Sequence, residues 1–405
     1  MLHLPSPRII SIDLLRGFFL IVIIIDHLGR FPSGFELLTG RGELWITAAE
    51  GFFFVSGMMV GVTRAAKIKR RGFRPIWLSL WRRSAILYLW SVGLTFLCLG
   101  WAWWLGWAPK GGLTGSHDLV EIGRETVLLH YAYGWADFLP RYVIFLFWSP
   151  LAAWLLHKNW WWVILLGSGG LWLMSRHDFT LSWQILFFTG MMAGYYLPWL
   201  EWRMAHLPEE YSNIFLRGSI LVGIFVLFLS ATLVFMPPLL QPLSASGALF
   251  GPSRMTQERV QSLAQAFNPH FISDGVSGLR YVLFLLYFWS AYALVRRHEQ
   301  FLQEKFGPLL LPLGRASLLT YITHAVVLFG VATVVHQNLT PQLNFILTTT
   351  VLLSIWVIVR FGPIGWSRLT VLRRTLESQT PLPAYLHLTL LRQTHEAVHY
   401  QRSDI

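Results

Sequence analysis

The chain has 405 residues, of which 54% are hydrophobic, 16% aromatic and only 13% charged, and its mean hydropathy is +0.50. Soluble domains carry about 25% charged residues, so this chain cannot coat the two or three soluble domains that its length would otherwise suggest. Abundant aromatics and a single cysteine, Cys98, exclude disordered, collagen-like and disulfide-scaffold classes. The formal net charge of +12 is spread in short basic blocks beside apolar runs. With no RNA-binding signature and no zinc-finger spacing, nucleic acid is not an expected partner. The class that remains is an all-α polytopic integral membrane protein.

A membrane-crossing helix needs about 20 mostly apolar residues. Ten such runs are predicted in chain order, at residues 12–29, 44–63, 84–107, 137–156, 160–175, 181–200, 214–236, 279–295, 316–336 and 342–360. The first run lacks the clean apolar stretch and small-residue cleavage site of a signal peptide, so it is expected to be retained. With the N-terminus inside, 21 Lys and Arg fall on that side and 8 on the other. The positive-inside rule therefore predicts that both termini are cytoplasmic. Residues 1–361 read as a ten-helix membrane domain and 362–405 as a basic cytoplasmic tail. Two long external loops are expected, 108–136 and 237–278. The second is rich in proline and reads as an irregular polar segment on which a large substrate can dock. In the tail, His395 and His399 are four apart beside Glu396. No second ligand cluster accompanies them, so a solvated tail is expected rather than a metal site.

Ionisable groups inside membrane helices are costly and read as functional by default. The first run holds Asp13, Arg16, Asp26 and His27. Arg16 and His27 are eleven residues apart, close to three helical turns, so they share a face about 16 Å apart along the axis. Asp13 can pair with Arg16 three residues on. Simple anchoring suits an isolated Arg or His at a membrane interface, but it accounts poorly for four such groups in one helix. In the second run, Glu50 lies at a depth similar to His27 and is expected to orient the imidazole as a nucleophile-and-base pair, the alternative being a structural bond to a neighbouring helix. Asp26 is the alternative carboxylate. Ser56 and Gly57 read as close helix packing. Further polar residues mark span ends: Asp137, Pro140, Arg141 and Tyr142; Trp183 and Gln184; Arg280 and Tyr281; Gly314, Arg315 and Ser317. His324 sits alone in an apolar stretch, where such a ring is more often simply bonded to a carbonyl. The tryptophans read mainly as an interfacial belt, with Trp183 the exception.

These residues carry a resemblance. The opening Asp13-Leu14-Leu15-Arg16-Gly17, with His27 eleven positions after Arg16, resembles the membrane acyltransferase superfamily that decorates polysaccharides. The ordered set that follows looks more closely like the OpgC family, which succinylates osmoregulated periplasmic glucans. That set comprises Ala49-Glu50-Gly51-Phe52 through Ser56-Gly57, then Asp137 to Tyr142, then Trp183-Gln184 with Gly190 and Gly194, then Arg280-Tyr281, and finally Leu313 to Leu318. The landmarks span about residues 11–325. The resemblance implies an acyl-CoA donor on the cytoplasmic side and transfer to a glycan hydroxyl outside. On that reading His27, with Glu50 or Asp26, is catalytic. Arg16, Asp13 and Arg315 hold the donor, Arg16 being suited to grip a phosphate or acyl carboxylate bidentately. Asp137, Trp183, Gln184, Arg280 and Tyr281 meet the acceptor.

The expectation is thus a multi-pass inner-membrane acyltransferase. It uses succinyl-CoA or acetyl-CoA as substrate, binds no cofactor or metal, and has lipid, glycan and glycan-synthesis enzymes as partners. O-acetyl transfer to another polysaccharide or a lipid-linked sugar is the enzymatic alternative. A glycan or solute transporter is the alternative of another class, although the halves show no self-similarity of the inverted-repeat kind. A scaffold subunit of a glycan-synthesis complex is the third.

Overall fold

Where no water is available, backbone N–H and C=O groups must pair within the segment that carries them, and helices do this for long apolar runs. The computed structural model describes residues 9–29, 33–106, 119–174, 178–245, 254–271, 275–335 and 339–377. Among these the regular elements are all helices. In chain order they are α1 (Ile10–His27), α2 (Glu36–Thr39), α3 (Ala48–Thr63), α4 (Ile68–Arg71), α5 (Phe73–Trp104), α6 (Leu119–Val127), α7 (Phe138–His157) and α8 (Trp161–Met174). Then come α9 (Phe179–Ala205), α10 (Glu209–Ala245), α11 (Arg254–Phe267), α12 (Gly278–Arg297), α13 (Glu299–Arg315), α14 (Ser317–Val334) and α15 (Pro341–Glu377). The chain divides into two compact units, Met1–Trp356 and Val357–Ile405, the second beginning within α15. The histidines expected in a solvated tail, His395 and His399, lie outside the described residues.

Among the described residues, seven helices contain spans long and apolar enough to cross a membrane: α3, α5, α7, α10, α12, α14 and α15. The three other predicted spans coincide with α1, α8 and α9, which are helical but fall short for visible reasons. The α8 helix has 14 residues. Asp13, Arg16 and Asp26 interrupt the 18 residues of α1. Thr180, Ser182, Gln184, Thr189, Gly190 and Gly194 dilute α9. Helices also lie outside the predicted spans, among them α6 within the 108–136 segment read as a loop. Residues 299–315 form α13, and the supposedly irregular 237–278 segment holds the amphipathic α11.

Close backbone contact organises the centre. Gly57 and Gly61 of α3 face Gly190 and Gly194 of α9, each pair four apart. A methyl group at any of the four would run into a backbone atom of the other helix: Phe187 O, Met191 O, Phe54 O or Met58 O. Small residues at this spacing let two helices approach to van der Waals contact of their main chains. The same device joins α1 to α13, where Gly17 meets the Leu310 carbonyl and Gly314 the Asp13 carbonyl. Around this seam Phe53, Phe138, Phe145, Trp183 and Phe187 pack ring against ring. The spans of α3 and α7 are 67% buried, whereas that of α10 is 17% buried and presents Leu221, Ile224, Phe225 and Phe228 outward. This suits an inner layer of polar-bearing helices screened from lipid by outer ones.

Candidate active site

The two ends of α1 carry the two halves of the site. At its C-terminal end the helix stops at His27, where the Leu28 and Gly29 amides close back onto the carbonyls of Ile24, Ile25 and Asp26. The Nδ1 atom of His27 lies 3.0 Å from Nε2 of His324 on α14. The two rings have centroids 5.3 Å apart and planes 21° apart. His324 is 1% exposed, and its own Nδ1 is 2.6 Å from the Tyr321 carbonyl. The Tyr321 hydroxyl donates to the Trp135 carbonyl at 2.6 Å and accepts the Phe138 N–H at 3.2 Å, which ties α14 to the start of α7. Asp137, beside that junction, is close enough for its charge to act on both His27 and Tyr321. Its carboxylate is bound by Arg141, one turn later, at 3.0 Å.

From Arg141 a column of rings and charges crosses the bundle. The Arg141 guanidinium sits 3.9 Å over the Phe179 ring. Phe179 stacks on Trp183 at 4.5 Å with planes 7° apart, and the Arg280 guanidinium lies 5.4 Å over Trp183. Rings in this order offer their negative faces to a cation at each end. Arg280 then forms an ion pair with Glu50, its Nε and Nη2 both reaching Oε1. The other Glu50 oxygen accepts the Thr47 amide at 3.0 Å and the Thr47 hydroxyl at 2.5 Å, closing a capping box at the start of α3. A Thr47–Glu50 pair three residues apart is the sequence signature of that cap.

At the N-terminal end of α1, the Gly17–Gly314 contact brings the end of α13 against the first turn. Asp13 Oδ2 is 3.8 Å from Arg315 Nε. Arg16 is 5% exposed, and its Nε is buried without a hydrogen-bond partner among the described residues. Asp13, Tyr142 and Arg83 are all near enough to act on its charge. Arg83 itself reaches the Tyr142 hydroxyl at 3.4 Å, and Arg64 and Arg71 lie within electrostatic reach of one another, Arg64 also of Arg83. A buried, incompletely bonded guanidinium costs free energy unless something anionic completes it.

The structure therefore gathers most of the predicted residues at two ends, but with different partners. Glu50, expected beside His27, instead serves Arg280 and Thr47. Asp26 follows a different direction around the helix from His27, about 100° away, and its carboxylate faces Gly42 and Thr39. Gln184, expected at the acceptor, has both ends of its amide taken by Ser168 of α8, at 2.6 Å and 2.7 Å. Tyr281 lies beside Thr189 of α9. Trp183 is 3% exposed and stands inside the column, so its faces are already covered. Arg83, Tyr142 and Tyr321 were not singled out as site residues. The doublet Arg82-Arg83 inside an apolar helix was the available signal for the first. Among the described residues there is no cluster of His, Cys, Asp and Glu suited to a metal ion.

Compared with known families, residues 8–368 match the family described as OpgC protein. Comparison with curated proteins and with solved structures returned no match.

Proposed function

The chain belongs to the OpgC protein family, and on that premise we propose that it is an integral membrane O-acyltransferase acting on a glucan. In its most concrete form, it moves a succinyl group from succinyl-CoA in the cytoplasm to a sugar hydroxyl on the other side of the inner membrane. The observation that carries the reading is α1 itself. Among the described residues, one end holds a buried arginine whose Nε lacks a hydrogen-bond partner, and the other holds an imidazole bonded at one nitrogen only.

In this scheme Arg16 grips an anionic part of the donor, with Arg83 and Arg315 adding positive charge around it. The helix length of about 16 Å between Arg16 and His27 lets a long, phosphate-bearing thioester reach from one group to the other. The Nε2 atom of His27 takes the proton from the sugar hydroxyl. The alkoxide oxygen attacks the thioester carbonyl, a C–O bond forms, and the C–S bond breaks. The CoA thiolate leaves and takes up the proton that His27 had received. Asp137, Arg141 and the column behind them shape the acceptor end.

The test is mass spectrometry of glucans from cells with the chain, without it, and with His27→Ala. Loss of one succinyl mass per site, restored by the wild type and not by the variant, supports the reading. Loss of acetyl masses assigns the enzyme to O-acetyl transfer instead. Unchanged acylation with an altered amount of exported glucan refutes acyl transfer.

A further inference from the structure

We propose that His324 is the positioning residue for His27: it accepts the His27 Nδ1 proton and so fixes the tautomer in which His27 Nε2 is bare. The inference rests on the reading of His27 as the base. A main-chain carbonyl has no proton to give, so the 2.6 Å contact between His324 Nδ1 and the Tyr321 carbonyl requires the hydrogen on His324 Nδ1. In a neutral imidazole one nitrogen donates and the other accepts, which leaves His324 Nε2 as an acceptor. Its neighbour at 3.0 Å is His27 Nδ1, which must therefore donate. The His27 proton is then on Nδ1 and Nε2 carries the lone pair. That nitrogen has no hydrogen-bond partner among the described residues.

The chain of contacts is built from the main chain outward. Tyr321 precedes His324 by three residues on α14, and its hydroxyl is held from both sides by Trp135 and Phe138. The carbonyl that orients His324 thus belongs to a residue that cannot easily shift. The Tyr321 ring also meets the His324 ring edge-on at 4.7 Å. Among the described residues no carboxylate is hydrogen-bonded to either imidazole, so a neutral ring stands where many hydrolytic sites place an Asp. Such a partner sets the tautomer without adding a negative charge that would hold the proton on His27. This suits a base that must pass its proton on to a departing thiolate.

The experiment uses the purified full chain, with succinyl transfer to glucan followed as kcat and KM for each substrate. His324→Phe keeps a ring of similar size and removes the acceptor. His324→Gln places an amide oxygen within reach of His27 Nδ1. The Phe variant is expected to lose about 100- to 10,000-fold in kcat with either KM changed by less than about threefold. The Gln variant is expected to keep at least tenfold more activity than Phe. In a His27→Ala background His324→Phe is expected to have no further effect, because groups that act as a unit are non-additive. Full activity of His324→Phe, or equal losses in the Gln and Phe variants, overturns the proposal. Should the Phe variant fail to fold, Gln activity no higher than that of His27→Ala also overturns it. If His27→Ala itself remains active, the failure lies in the reading of His27 and not in the pairing.

Discussion

Removing the Glu50 charge is expected to damage stability and leave proton transfer untouched. The side chains of Glu50 and Arg280 are 0% and 8% exposed, so Glu50→Gln removes the buried carboxylate charge that this guanidinium pairs with inside the bundle. Breaking one partner of a buried pair costs about 3–5 kcal/mol. Arg280→Met strands the carboxylate and is expected to cost a similar amount. The double variant Glu50→Gln with Arg280→Met buries neither charge of the pair and weakens mainly the Thr47 cap, about 1 kcal/mol. The double is therefore expected to fall short of the sum of the singles by several kcal/mol. Unfolding of the purified variants in mixed detergent micelles, monitored by circular dichroism, measures the cycle. The fraction of Glu50→Gln that remains folded is expected to keep the wild-type pH profile, because no Glu50 oxygen bonds the His27 ring. Single variants that cost less than about 1 kcal/mol, a double as poor as the sum, or a displaced pH profile would refute the reasoning.

Arg16→Lys retains the charge but not the planar fork, and is expected to raise the KM for acyl-CoA at least tenfold with little change in thermal stability. An unchanged donor KM in steady-state assays would remove Arg16 from the donor site. Gly57→Ala drives a methyl group into the Phe187 carbonyl of α9 and is expected to cost about 1–3 kcal/mol in the same micelle assay. Gly93→Ala, in open space on α5, is expected to be neutral or slightly stabilising, and equal effects at the two sites would discredit the α3–α9 seam. Outside the helices that cross the bundle, Glu36 accepts bonds from the amides of Ser33 and Gly34 and from the Ser33 hydroxyl. Burial raises the Glu36 carboxyl, but those bonds and its own amide outweigh it and hold the group below the ordinary carboxylate range. A depressed carboxylate adds stability above its unfolded pKa, near 4.3, and loses it as pH falls through the folded value. Between pH 6 and pH 3 the melting temperature is therefore expected to fall further in wild type than in Glu36→Gln. Parallel curves would contradict this.

What could be read in advance was whatever a single helix contains. Apolar length and its interruptions marked all ten helices of the expected spans, and the eleven-residue interval placed Arg16 and His27 at opposite ends of one helix. What could not be read was which side chain faces which across helices. Depth suggested that Glu50 meets His27, but depth says nothing of direction around the helix axis, and Glu50 points instead to Arg280, 230 positions later. The ring that does meet His27 is 297 positions away, a separation that no local pattern encodes. Gln184 is assigned to the acceptor by the resemblance and its place at a span end, but an amide in an apolar run needs partners of any kind. Ser168, 16 positions earlier, supplies them. The α13 helix was missed because Glu299, Gln300, Gln303, Glu304 and Lys305 dilute its first half below the hydropathy of a span.

The central claim is that this chain alone carries an acyl group from CoA to a glucan by means of His27. The direct measurement is reconstitution of the purified full chain into vesicles, with radiolabelled succinyl-CoA on one side and unmodified glucan on the other. The account expects label to appear on the glucan with wild-type protein and to fall to background with His27→Ala of equal insertion and fold. Label transferred equally well by His27→Ala, or no transfer of succinyl or acetyl groups by the wild type, would contradict it.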